Sequence, residues 1–264
     1  MEHYVNGKFR KSFTDTQSLN VAVLAALREV RLDTAPLSWE HLTEPAPVRW
    51  RWEVPTLVDR AVSAPVLDVY LVALGVAPLL ATRLEALPTV LLRAAREVAF
   101  LDEQSRPVVG SDRTAAWAWV PDATANGAGF LERRVHEYRG VAVLAAGQVT
   151  AFEALPTDFA GALIDPADLR GRLVRLLAVA VPQLPANAGQ VAVAAALAPA
   201  DRVFEGDPAA VGGRSRAELR TTQGLGLTAD ATKTVAVEAL TAHAAEVASE
   251  VAAELLLALR DAPR

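Results

Sequence analysis

Apolar residues recur at three- and four-residue spacing in one early stretch, "TDTQSLNVAVLAALREVRL", where Leu19, Val23, Leu24, Leu27 and Val30 form a single stripe behind a capping Thr14 or Asp15. The spacing predicts a helix. Just before it, "HYVNGKFR" places Asn6-Gly7 between two short runs of strand-forming residues, and this dipeptide accepts the positive φ of a type I′ turn, so a small hairpin is expected. From Thr34 to Pro55 the chain is broken by prolines and carries Trp39, Trp50 and Trp52. Within it "VRWRWEV" alternates with period two, which in an extended chain puts Trp50 and Trp52 on one face and Arg49 and Arg51 on the other. Residues 55–63, 65–74, 78–86 and 88–103 read as short helices, because Pro55, Pro65, Pro78 and Pro88 each fall where a first helical turn accepts one.

The second half carries a different pattern. "SRPVVGSDRTAAWAWVPDATANGAG" is rich in Gly, Asn and Asp and reads as a linker with one strand at 116–120. "FLERRVHEYRGVAVLAAGQVTAFEAL" reads as three strands turning at Arg139-Gly140 and Gly147-Gln148. "DPADLRGRLVRLLAVAV" is a helix capped by Asp165 with Pro166 in its first turn, and "GQVAVAAALAP" is a buried strand. "RAELRTTQGLGLTAD" reads as a hairpin, and 235–260 as a long final helix with Val237, Leu240, Ala244, Val247, Val251, Leu255 and Leu259 on one side. The fold class expected is α+β: a helix-rich N-terminal region with a short hairpin over 1–110, a linker over 111–129, and over 130–264 a mainly antiparallel sheet with helices packed on one face.

Composition narrows the chemistry. The 264 residues contain no cysteine, which removes disulfides, thiolate catalysis, zinc fingers and iron–sulfur clusters; 52 % are hydrophobic, enough for a sizeable core without crosslinks. Lysine occurs only at Lys8, Lys11 and Lys233, and arginine supplies the other basic residues, a bias that fits a high-GC bacterial genome. The net charge of −5 is spread over both halves, so neither is a magnet for nucleic acid or anionic lipid. "MEHYVNGKFRKSF" lacks the apolar core of a secretory signal, and the charge-poor stretches 61–82 and 176–200 are interrupted by Pro and Gly, so no membrane span and a cytoplasmic setting are expected.

The most loop-like stretch, "GDPAAVGGRSRAELR" (206–220), has the glycines and arginines of a phosphate cradle but not its order: five residues separate Gly206 from Gly212, Arg stands for Lys, and no helix follows Ser215. What remains is one strand face carrying Arg214, Arg216 and Arg220, suited to an anion or a partner's carboxylates. "GRSRA" outlines a nucleophile elbow at Ser215 without the strand and helix that such a turn joins, and His136 and His243 are the histidines nearest to serving it. His3, His41, His136 and His243 show no metal-motif spacing, and the pairs Asp102-Glu103 and Glu246/Glu250 read as wet helix surface, so no metal and no cofactor are expected. "ERRVHEYR" adds Arg133, Arg134 and Arg139, largely neutralised by Glu132 and Glu137. The constellation Arg49, Trp50, Arg51, Trp52 joins aromatic anchors to guanidinium groups, which suits a protein interface first and single-stranded nucleic acid second. The function expected is therefore non-enzymatic, through association with a protein partner or with copies of itself. The alternatives are a nucleic-acid-associated protein and a hydrolase whose site is assembled from scattered residues.

Overall fold

The computed structural model describes residues 3–5, 8–10, 36–59, 61–122, 134–157, 161–201, 203–206 and 226–262. Contacts divide the chain into two units, Met1–Ala35 and Pro36–Arg264. In the first, β1 (His3–Val5) pairs antiparallel with β2 (Lys8–Arg10), setting Val5 opposite Lys8, while Asn6 and Gly7, read as the turn, lie outside the described residues. The helix read over 14–30 lies outside the described residues.

The second unit is built on one antiparallel sheet of nine strands. In chain order its elements are β3 (Glu40–His41), two 3-10 turns (Arg51–Glu53 and Pro55–Leu57), β4 (Val66–Ala73), α1 (Ala81–Glu97), β5 (Val108–Ser111), β6 (Ala115–Val120), β7 (Arg139–Leu144), β8 (Gln148–Ala154), β9 (Ala162–Ile164), α2 (Pro166–Ala180), a 3-10 turn (Val181–Gln183), β10 (Gln190–Ala198), β11 (Val203–Glu205), β12 (Leu227–Ala229), β13 (Lys233–Ala236), α3 (Val237–Ala242) and α4 (Ala244–Asp261). The strand order is β3-β13-β10-β4-β8-β7-β6-β5, with β12 also paired to β10, while β9 and β11 form a separate parallel pair.

Alternation sorts side chains to the two faces. Leu67, Val69 and Leu71 of β4, Val141 and Val143 of β7, and Val191, Val193 and Ala195 of β10 join the main core with Leu84, Leu87 and Leu91 of α1, Leu169, Leu173 and Leu176 of α2, and Val247, Val251 and Leu255 of α4. Tyr70 and Val72 of β4 and Ala192, Ala194 and Ala196 of β10 face the opposite way and are covered by residues 42–52 of the proline-broken segment. This segment acts as a strap. Gln148 holds it at both polar groups of one residue, its Oε1 accepting from the Arg49 amide at 2.9 Å and its Nε2 donating to the Arg49 carbonyl at 2.7 Å. Val54 and Leu57 carry it on over Ala142 and Leu144, and Trp117 and Trp119 pack alongside. Gly140 is required beneath Trp119, its cross-strand partner, because a Cβ there would lie 2.2 Å from the Trp119 Cβ.

The expected helix-rich N-terminal region is overturned: the sheet runs through the chain from residue 40 to residue 236. Residues 65–74, read as a helix, contain β4, which lies between β8 and β10 and is buried along its whole length. The reason is burial on both faces, which erases period two and leaves "VLDVYLVA" as a continuous apolar run that periodicity cannot assign; Pro65 stands just before the strand, where a missing N–H is tolerated. Among the described residues of 55–63 there is one 3-10 turn and no α-helix, and the helices read over 78–86 and 88–103 are the single helix α1 with Pro88 inside it.

Other differences are local. Arg139-Gly140 is the start of β7 and not a turn, while the Gly147 turn does join β7 to β8, with Gly147 at φ +86°. Asp165 caps α2 through its carboxylate, accepting from the amides of Ala167 and Asp168. The long final helix is shorter than read, since Thr234–Ala236 of β13 pair with β10 and His243 separates α3 from α4. Of the linker read over 111–129, 115–120 form β6 and 123–129 lie outside the described residues.

Candidate functional site

On the helix-covered face, a cavity of about 360 Å³ opens between the C-terminal end of α1, the middle of α2 and the paired ends of β7 and β8. Its size suits a small molecule. One wall is apolar: Val98, Ala99 and Phe100 at the end of α1, Val135, Ala154, Pro156, and Ala178 of α2. The helix stops there through a left-handed residue, Ala99 at φ +53°, with the Phe100 amide donating to the Ala95 carbonyl at 2.8 Å. Val98 and Val135, 47 % and 74 % exposed, leave the rim apolar as well.

The other wall carries Arg139, Arg172, Arg175 and Glu153. Arg139 and Glu153 are cross-strand partners of β7 and β8, and Arg172 and Arg175 reach Glu153 from α2, three residues apart on one helical face. Glu153 is 7 % exposed and accepts from Arg172 at 3.0 Å and Arg175 at 3.1 Å; Arg172 also donates to Asp168 at 2.8 Å. Burial works against the Arg172 charge, but Asp168 and Glu153 more than offset it and hold the guanidinium above the usual arginine range. Among the described residues Arg139 makes no ion pair. Each guanidinium has five N–H donors, and among the described residues Arg172 and Arg175 direct three of theirs to carboxylates.

At one side of the cavity stands His136, which ties three segments together. Its Nδ1 is 2.7 Å from Asp122 Oδ2 and its Nε2 is 2.8 Å from Thr157 Oγ1. An ionised carboxylate only accepts, so Nδ1 carries the ring proton, and in the neutral ring Nε2 then accepts from the Thr157 hydroxyl. Asp122 is itself held: its Oδ1 accepts from the Glu137 amide at 3.2 Å, and its amide donates to Asp59 at 3.3 Å. Tyr138, a lining residue two positions after His136, also closes the strap-side layer, where its ring lies 5.0 Å from Phe152 and its hydroxyl donates to the Leu57 carbonyl.

The residues singled out from sequence are dispersed. Trp50 and Trp52 stack at 5.4 Å, half-buried against the sheet, with Trp50 edge-on to Tyr70. Arg49 is exposed. Arg51 is not on the water side, because Arg51–Glu53 is a 3-10 turn and swings the side chain inward. It is 6 % exposed, donates to Asp68 at 2.6 Å and lies 5.6 Å from the rings of Tyr138 and Phe152. Arg214, Arg216, Arg220 and Ser215 lie outside the described residues. His243 stands at the break between α3 and α4, 3.6 Å from Glu246, and Glu250 pairs with Lys233 at 2.6 Å. Among the described residues no cluster of three His, Asp or Glu side chains could hold a metal ion.

Sequence reasoning missed Arg172, Arg175, Glu153, Asp122 and Thr157, and discounted Arg139 as neutralised by Glu137, which is exposed. A signal existed only for α2, where Arg172 and Arg175 follow a capped start at a spacing that faces them together. Comparison of the chain with protein-family models, with characterised proteins and with solved structures finds no match.

Proposed function

We propose that the Pro36–Arg264 unit is a binding module for a small organic anion, a carboxylate with a short apolar tail. The observation that carries this reading is the composition of the cavity: three guanidinium groups against one lining carboxylate on one wall, and an apolar wall facing them. Arginine presents paired N–H groups that match a carboxylate, and the wall of Val98, Phe100 and Pro156 suits an alkyl or aryl chain. The lack of cysteine and the arginine-for-lysine bias support a bacterial cytoplasmic setting. No described helix is long and apolar enough to cross a membrane.

Isothermal titration with hexanoate and hexanol tests the reading. Hexanoate is expected to bind at one site and hexanol not, and Arg139→Gln should weaken hexanoate about tenfold or more, as loss of a charge-assisted hydrogen bond does. Equal binding of acid and alcohol, or no effect of the substitution, contradicts it.

A second reading keeps the association expected from sequence and moves it to a different surface. Among the described residues β5 pairs only with β6, so its outer edge is open, with Val108 and Val109 at 42 % and 39 % exposure. If copies associate through this edge, sedimentation velocity on wild-type protein shows a dimer and Val109→Lys a monomer. A wild-type monomer removes the reading.

A further inference from the structure

We propose that Asp122, His136 and Thr157 form a nucleophilic relay that gives the cavity an esterase activity toward esters of acidic acyl groups. The inference rests on the anion-binding reading of the cavity, because the acidic end of the substrate is what the arginine wall would hold. Three side chains from separate segments meet in the order carboxylate, imidazole, hydroxyl, at 2.7 Å and 2.8 Å. That is the geometry by which a base-activated hydroxyl is recognised, whatever the sequence positions of its members. The carboxylate and imidazole are 3 % and 5 % exposed, which strengthens their mutual attraction, and Thr157 is half-buried beside the lining residue Pro156.

The chemistry balances with water as the only co-reactant. Thr157 Oγ attacks the ester carbonyl and its proton passes to His136 Nε2, while Asp122 holds the ring tautomer and stabilises the imidazolium. Collapse of the tetrahedral adduct breaks the bond to the alcohol oxygen, which takes the proton from His136 and leaves as the alcohol. Water then attacks the acyl-threonine, losing its proton to His136, and Thr157 departs as the hydroxyl with that proton returned. The products are the acid and the alcohol. A purely structural role for the relay predicts none of this turnover.

The test uses 4-nitrophenyl hemisuccinate, which carries a free carboxylate, and 4-nitrophenyl acetate, which does not. Wild-type protein is expected to release 4-nitrophenol from the hemisuccinate faster than from the acetate. Thr157→Val, which keeps the shape and removes the hydroxyl, should lower that rate at least a hundredfold, while Thr157→Ser retains it. Mass spectrometry of wild-type protein treated with a fluorophosphonate should find the adduct on Thr157, a readout independent of how the variants fold. Turnover that persists in Thr157→Val, or wild-type protein with neither turnover nor adduct, overturns the inference. If hexanoate still binds in that case, the relay has failed and the binding reading stands; if it does not, both have failed.

Discussion

At the scale of single residues, the largest electrostatic commitment is Arg51 with Asp68 beneath the strap. Burial pushes the Asp68 carboxyl up to about 6, against the pull of the Arg51 guanidinium, and raises the Tyr138 phenol to about 12. Burial also works against the Arg51 charge, but Asp68 together with Tyr138 and Tyr70 outweighs it and keeps the guanidinium protonated. Removing one partner strands the other, so Asp68→Asn or Arg51→Ala should each cost about 3–5 kcal/mol in chemical denaturation. The double change Arg51→Met with Asp68→Leu should cost far less than the two singles together, since no buried charge is left unpaired. The pH dependence has a definite sign. An unfolded aspartate loses its proton near pH 4 and folded Asp68 near 6, so the folded state binds the extra proton between them. This group's contribution to stability is therefore full below about pH 4, falls as pH rises through that window and is flat above it. Stability curves at pH 4, 5, 6 and 7 check this: the wild-type-minus-Arg51→Met/Asp68→Leu difference should decline across the window, and a constant or rising difference contradicts it.

At the scale of elements, α1 carries a proline where a helix interior loses both an N–H and room for the preceding carbonyl. The stripe of Leu84, Leu87, Leu91 and Ala95 sustains the helix through it. Pro88→Ala should raise stability by about 1–2 kcal/mol, less than the full helix-interior penalty because the proline also restricts the unfolded chain. Thermal melting measures this, and a lowered midpoint would show that Pro88 serves the packing. Elements with a one-sided pattern or a strong local signal were legible in the sequence: the Asp165 cap of α2, the Gly147 turn, and β10 with its flanking glycine and proline. Those with both faces covered were not. β4 lost its alternation to burial, and the strap has no regular pattern because Gln148 and the buried Arg51 fix its path, contacts made with residues tens of positions away. The site was less legible still. Arg139, Glu153 and Arg172 come from two strands and a helix, and Asp122, His136 and Thr157 from three segments outside the strands, so sheet register joins only Arg139 to Glu153 and tertiary packing brings in the rest.

At the scale of the Pro36–Arg264 unit, a sheet covered on both faces leaves function to its margins. The strap fills one face with aromatic rings, the helices fill the other, and the cavity lies where α1 ends short of α2 and exposes the ends of β7 and β8. Tyr138 belongs to both layers, so the packing beneath Arg51 and the wall of the cavity share a residue. On the proposed function, this cavity holds an organic anion by its arginines. The most direct measurement follows the guanidinium N–H signals of Arg139, Arg172 and Arg175 by NMR as hexanoate is added. These three are expected to shift together along one saturating curve while signals of arginines elsewhere, such as Arg93 and Arg260, stay in place. Unmoved signals at all three, or shifts spread evenly over the arginines of the surface, would contradict it.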